Sequence, residues 1–296
     1  VPAAPALAVP PRRAVTLVVG APAGSAADRT ARTIVPFLAR HWQRVTVTVA
    51  NLPGGGGLEA AREVAEAPAG QAMLGFVATP ALLARCIQDA EPALPERLSW
   101  FGPLTEEPLL LVGRAGQGSV VLASGGALER MIGTGPAGSA SHLAALRLAE
   151  TLPACRALPF ASAMAAGRAA AAGHVAAAIL ALSDFRRIER YALAAVAVAA
   201  AERLPQLPAV PTLAERGVPV VAGLQRGFVA PLGFAGAGRL AAALRSLRSD
   251  PEFLAWAEEA GGRPGSGEPT EWGQRLAADR AELSARWARS PWVAGG

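Results

Sequence analysis

"VVGAPAGSAADRTAR", residues 18–32, decides the fold. Val15 to Val19 have the run of branched residues expected of a short buried strand, and Asp28 through Leu38 place apolar residues at helical spacing, so Gly20 to Ala27 is a strand-to-helix turn. A helix N-terminus carries unsatisfied amides and a partial positive charge, and small side chains let an anion approach that backbone. The stretch therefore raises one question: which anion it holds.

Outward from this turn, strand and helix signals alternate. "VTVTVA" (45–50), a glycine loop, a helix from about Leu58, "AMLGFVA" (72–78) and a helix from Pro80 complete a βαβαβα order, which implies a parallel sheet covered by helices. The theme repeats with "RMIGTG" (130–135), a helix over 139–151, "CRALPF" (155–160), a helix over 162–172, "HVAAAILAL" (174–182) and "YALAAVAVAA" (191–200), predicting a second α/β lobe. "RGFVAP" (226–231) reads as a strand returning to the first lobe. Beyond it, 236–288 is helical in three pieces broken at Pro251 and at 261–272, so these helices cover an existing lobe. The expected division is lobe I over 14–107 plus 226–296, lobe II over 108–225, and a proline-alanine leader over 1–13, with crossings near 108 and 225.

Composition limits the function. The 296 residues exceed the roughly 100–200 of a usual single core, which favours two lobes. Hydrophobic residues make up 52% but aromatics only 5%, so helices are expected to pack closely on alanine. The net charge is +5 and every basic residue is arginine, but the arginines are scattered, adjacent only at Arg12-Arg13 and Arg186-Arg187. That pattern argues against nucleic-acid binding, which wants a clustered basic face with aromatics. Cys86 and Cys155 lack CxxC spacing and the three histidines have no HxxxH arrangement, so no metal or cofactor is expected. Two buried thiols and a disulfide both remain open. The longest apolar run, 191–201, is short of the roughly 20 residues a spanning helix needs. The leader is compatible with a signal peptide already removed. No triad-like motif or paired carboxylates lie near the glycine turns, which argues against an enzyme.

The second glycine stretch, "ANLPGGGGLEAA" (50–61), also joins a strand to a helix. It reads either as a flexible surface loop or as a second amide-rich turn converging on the crevice where open α/β proteins bind ligands. Dinucleotide or Walker-type binding lacks its spacing, and its lysine, here.

These motifs resemble the Bug-type receptors of tripartite tricarboxylate transporters. "GAPAGSAADRTAR" is similar to that family's "PFPAGGxxDxxAR", "NLPGGGG" to "NRPGAGG", "GTGPAGSASHLAAL" (133–146) to "SxGxGSxxHLA", and "LPFASA" (158–163) to "VPYKGx". "AGHVAAAI" (172–179), "RLPQLPAVPTLAERGVP" (203–219) and "GFVAP" (227–231) continue the match in order. The resemblance implies an α/β, two-lobed periplasmic-binding-protein type II fold, each lobe a mixed sheet flanked by helices. It further implies a periplasmic monomer that captures a small carboxylate in an interlobe cleft. The partner would be a set of membrane transporter subunits or, in the alternative, a sensor kinase.

The implied contacts are Ala23, Gly24, Ser25, Ala26 and Asp28 in the first loop, Gly55, Gly56 and Gly57 in the second, and Thr79 after the third strand. From the closing lobe come Thr134, Gly138, Ser139, Phe160 and Ser162. Asp28 also reads as a first-turn anion of its helix, and His142 as a structural histidine. Departures from the family pattern include Ala21, Ser25, Leu58, Pro136, Phe160, Ala176 and Gln225, which leave fewer polar groups for the distal part of a ligand.

Overall fold

The first sheet is organised around β1 (Arg13–Val19), which pairs in parallel with β2 (Val45–Asn51) and β3 (Met73–Thr79). Its register sets Val19 beside Asn51 and Phe76, so the carboxyl ends of the three strands share one edge. This is a computed structural model, and it describes residues 13–116, 122, 130–188 and 192–293. The expected leader lies almost wholly outside the described residues, as does the start of the 191–200 strand.

β9 (Gly223–Pro231) lies antiparallel between β3 and β4 (Leu98–Arg114), giving the order β2-β1-β3-β9-β4. The second sheet contains β5 (Arg130–Thr134), β6 (Cys155–Pro159), β7 (Ala177–Ala181) and β8 (Leu193–Val198). Its order is β6-β5-β7-β4-β8, with β4 antiparallel between β7 and β8. The two sheets thus repeat one plan of three parallel strands, a reversed strand and an edge strand. β4 is the edge of the first and the reversed strand of the second.

The passage between lobes falls inside β4. Leu98 to Pro108 pair with β9, and Leu109 to Arg114 pair with β7 and β8. This 17-residue strand is not apparent in "LSWFGPLTEEPLLLVGR", where Gly102, Pro103, Glu106, Glu107 and Pro108 read as breakers. The ladder absorbs them: register shifts flank Pro103, and Glu107 meets Arg226 at 2.9 Å while Glu106 meets Arg263 at 2.8 Å.

Helices cover both faces of each sheet. In the first lobe, α1 (Ala26–His41), together with the tail helices α7 (Ala237–Arg248) and α8 (Pro251–Glu259), packs on Val15, Leu17, Val19, Phe76 and Phe228. The other face, with Val18, Val77 and Val229, takes α2 (Leu58–Glu66), α3 (Ala81–Gln88) and the long α9 (Pro269–Arg289). β1 is therefore buried on both sides, which explains its unbroken apolar run. In the second lobe, α4 (Ala140–Thr151) covers Leu109, Ile132 and Ile179. The opposite face holds α5 (Ala163–Ala172) and α6 (Leu182–Ile188). Small residues do set the spacing here, since a Cβ on Gly167 would lie 2.1 Å from Ile188 Cδ1. The tail holds one short strand, β10 (Arg263–Pro264), which extends the edge of β4. Cys86 and Cys155 are free and buried in different lobes, which settles the open pairing.

Candidate functional site

The turn after β1 is held by a charged network. Ser25 caps α1, its Oγ accepting from the Asp28 N–H at 3.2 Å. The Asp28 carboxylate, 3% exposed, accepts from the Gly24 N–H at 2.8 Å, from Arg32 Nε at 2.9 Å and from Asn51 Nδ2 at 2.9 Å. Those donors, Arg32 first, hold its pKa down to about 2. Asp28 is thus a fixed anion that shapes the loop, and the Gly24 amide is spent on it. Gly24 itself sits at φ +76 with nothing near an added Cβ, so its requirement is conformational. The first helical amides, those of Ala26 and Ala27, have no intrahelical partner by geometry and point out of the helix end.

The second loop runs Gly54 to Gly57, all at positive φ, which only glycine adopts four times running. The Gly57 and Leu58 amides close onto the Gly54 and Gly55 carbonyls, so both are spent within the loop. The two loops touch: a Cβ on Gly20 would lie 2.5 Å from Gly57 Cα. Asn51 clips them together, donating to Ala21 O at 3.0 Å as well as to Asp28, while accepting from Arg32 Nη2 at 3.0 Å. Sequence reasoning passed over Asn51 and Arg32. The available signal was an amide side chain at the last residue of a strand, and an arginine one turn after a first-turn acid.

Thr79 ends β3 on the same edge. It is 2% exposed, and its Oγ1 is a buried polar atom without a hydrogen-bond partner. Native interiors rarely leave a buried hydroxyl without a partner.

The second lobe builds its turns from neutral groups. Ser139 caps α4, accepting from the His142 N–H at 3.3 Å, and Ser162 caps α5, accepting from the Ala165 N–H at 3.2 Å. Ser141 Oγ accepts from the Gly135 N–H at 2.9 Å and lies 3.2 Å from Ser139 Oγ. His142 is buried and its pKa is pushed down to about 4 by that burial. Its Nδ1 accepts the Gly138 N–H at 3.1 Å, which places the ring proton on Nε2. Gly135 brings the helix ends together, a Cβ there meeting Ser139 Oγ at 3.1 Å and the Ala163 amide at 3.6 Å.

Thr134 and Phe160 occupy packed positions, whereas the alanines of the first loop do not. Thr134 is fully buried, its hydroxyl donating to Gly135 O at 2.8 Å. Phe160 lies half-buried across Gly133, its amide donating to Thr134 O at 3.0 Å. Ala23 and Ala26 are exposed on the first loop. Gln225 is engaged away from the turn, donating to Glu106 and accepting from Trp272 Nε1. Four helix N-termini, those of α1, α2, α4 and α5, therefore arise in two touching pairs, one per lobe. Each serine-capped end keeps two amides to offer an anion.

Such a scaffold, two sheets of identical order sharing a strand with helix N-termini at strand ends, is that of a two-lobed binding protein of type II topology. The chain belongs to the tripartite tricarboxylate transporter receptor family, whose model (TctC) matches residues 32–286. Among solved structures, it is similar to a TctC solute-binding protein from Polaromonas without ligand, at 22% identity and TM-score 0.79, covering 95% of this chain and 100% of that one. It is similar also to MatC (Rpa3494) of Rhodopseudomonas palustris with bound malate, at 24% identity and TM-score 0.73, covering 92% and 98%. R. palustris Rpa4515 with adipate matches at 24% identity and TM-score 0.72, covering 94% and 96%. A search of curated protein sequences returns no match.

Proposed function

We propose that this receptor captures a small carboxylate between its lobes, outside the cytoplasmic membrane, and presents it as a monomer to the membrane subunits of a tripartite tricarboxylate-type transporter. The lobes would be residues 14–107 with 226–296, and 108–225. The carboxylate would be gripped by the amides of Ala26, Ala27, Gly55 and Gly56, with the Thr79 hydroxyl beside them. Ser139 and Ser162 would add donors as the second lobe closes. The observation that carries this reading is the unpartnered Thr79 Oγ1, buried at the shared edge of the two touching glycine turns. Malate and adipate, found in related structures, make dicarboxylates the first ligands to try. No helix among the described residues is long and apolar enough to cross a membrane, which is compatible with a receptor that meets its partner at the surface.

A thermal-shift and calorimetry series over mono-, di- and tricarboxylates tests the reading. A ligand at about 100 times its Kd adds roughly 2.7 kcal/mol to stability. Saturable binding of at least one dicarboxylate is expected, and Thr79→Val weakens it. A series in which no carboxylate shifts the transition contradicts the proposal.

A further inference from the structure

α9 is rooted in the first lobe, yet its last turns lie against the second. Trp272 is fully buried beside Trp100, with ring centroids 5.2 Å apart, and Arg280 binds Pro92 O and Glu96. Further along, Glu282 accepts from Arg147 at 2.9 Å and Arg286 meets Glu150 at 2.7 Å, both partners belonging to α4 of the second lobe. The signs are crossed: α4 presents arginine then glutamate, and α9 glutamate then arginine. A slip of one turn would set Arg147 against Arg286, so the pairs define a single register. Beneath them, Leu143 of α4 joins the same buried cluster as Leu283 and Trp292, with Leu146 and Trp287 packed against it. Trp292 meets Trp287 edge to face, with ring centroids 4.7 Å apart, and reaches the turn before α4, its Nε1 lying 3.4 Å from where a Gly138 Cβ would be.

This contact also carries a cost. Trp292 Nε1 and Gln88 Oε1 are both buried without partners beside Gly138, and separation of the lobes would return them to water. Two partly exposed ion pairs and an apolar layer favour contact, and two stripped polar atoms oppose it. Small changes in charge should therefore move the lobes.

We infer that α9 and Trp292 form an interlobe clasp on α4, so that Arg147, Glu150, Glu282 and Arg286 act as positioning residues that set ligand affinity without touching ligand. The Ser139 turn opens α4, and whatever holds that helix holds the turn over the first lobe. The inference rests on the receptor reading above for its effect on affinity, while its structural part stands apart from any ligand.

The test combines small-angle scattering of the ligand-free protein with calorimetry using malate and adipate. Glu282→Arg, facing Arg147, should enlarge the radius of gyration and weaken binding about two- to fivefold, the scale of one partly exposed pair. Trp292→Ala should act in the same direction. The exchange Arg147→Glu with Glu282→Arg should restore both readouts, which a merely local packing defect would not do. Unchanged scattering and affinity in both single variants would overturn the clasp, as would an exchange that fails to restore them. Wild-type protein that binds neither probe while scattering still responds to Glu282→Arg would uphold the clasp and count against the receptor reading.

Discussion

The two lobes meet the same demand, a turn that frees amides at a helix end, by different chemistry. In the first lobe a carboxylate held near pKa 2 gathers Gly24, Arg32 and Asn51, and thereby ties the glycine loop to the turn. In the second lobe two serines and a neutral histidine do so, through bonds among uncharged groups. The first arrangement fixes a backbone against backbone contact at Gly20 and Gly57, whereas the second leaves side-chain tips as the contact at Gly135. The first lobe should therefore behave as the rigid platform, and the second as the adaptable one.

The sharpest way to break this contrast is a matched pair of methyl additions. Gly20→Ala forces its Cβ onto Gly57 Cα at 2.5 Å and should cost about 3 kcal/mol in chemical denaturation and abolish carboxylate binding. Gly135→Ala meets two side-chain hydroxyls rather than backbone, Ser139 Oγ at 3.1 Å and Ser141 Oγ at 3.3 Å, and should cost only about 1 kcal/mol, the scale of a disturbed cap. Equal losses would remove the distinction between platform and adaptable lobe.

Acid should separate the lobes next. His142 titrates near 6.5 once unfolded but only near 4 when folded, so the unfolded chain binds more protons between these values and stability falls as pH drops through that window. By pH 5 the loss relative to pH 7 should be about 2 kcal/mol, and His142→Gln should remove it. Asp28 has the opposite charge type and a lower window: its contribution is complete above 3.8 and is lost only as pH falls toward 2. Urea titrations across pH 4.5 to 7 check this, and a slope that survives in His142→Gln would be against it.

The smallest effects concern the caps. Ser25→Ala and Ser139→Ala each remove one N-cap acceptor and should cost about 1 kcal/mol of stability. Ser25→Ala should leave affinity nearly intact because Asp28 still holds the Gly24 amide, while Ser139→Ala should weaken binding, since Ser139 also steadies Ser141 at the turn. Calorimetry on the pair distinguishes them.

Much of this was legible in the chain. Strands buried on both faces announce themselves by composition, as β1 and β3 do, and glycines and serines before helical spacing mark the turns. β4 was not legible, because its prolines and paired glutamates are reconciled only by partners distant in sequence, Arg226 and Arg263. Within the site, residue types located the loops but not their wiring. Asp28 matched a motif, yet its partners Arg32 and Asn51 emerge only when α1 and the end of β2 are brought side by side. The Gly24 and Gly138 amides are likewise committed to Asp28 and His142, contacts that depend on side-chain direction. The α4 to α9 contact joins segments more than a hundred residues apart and leaves no local trace.

The most direct test is a nitrogen-15 amide titration with malate or adipate followed by NMR. Backbone recognition from both lobes requires saturable shifts at Ala26, Ala27, Gly55 and Gly56 together with Ala140 and Ser141, with little change in affinity between about pH 6 and 9 because amides do not titrate there. Shifts confined to side chains, or to one lobe alone, would contradict a carboxylate held between two pairs of helix ends.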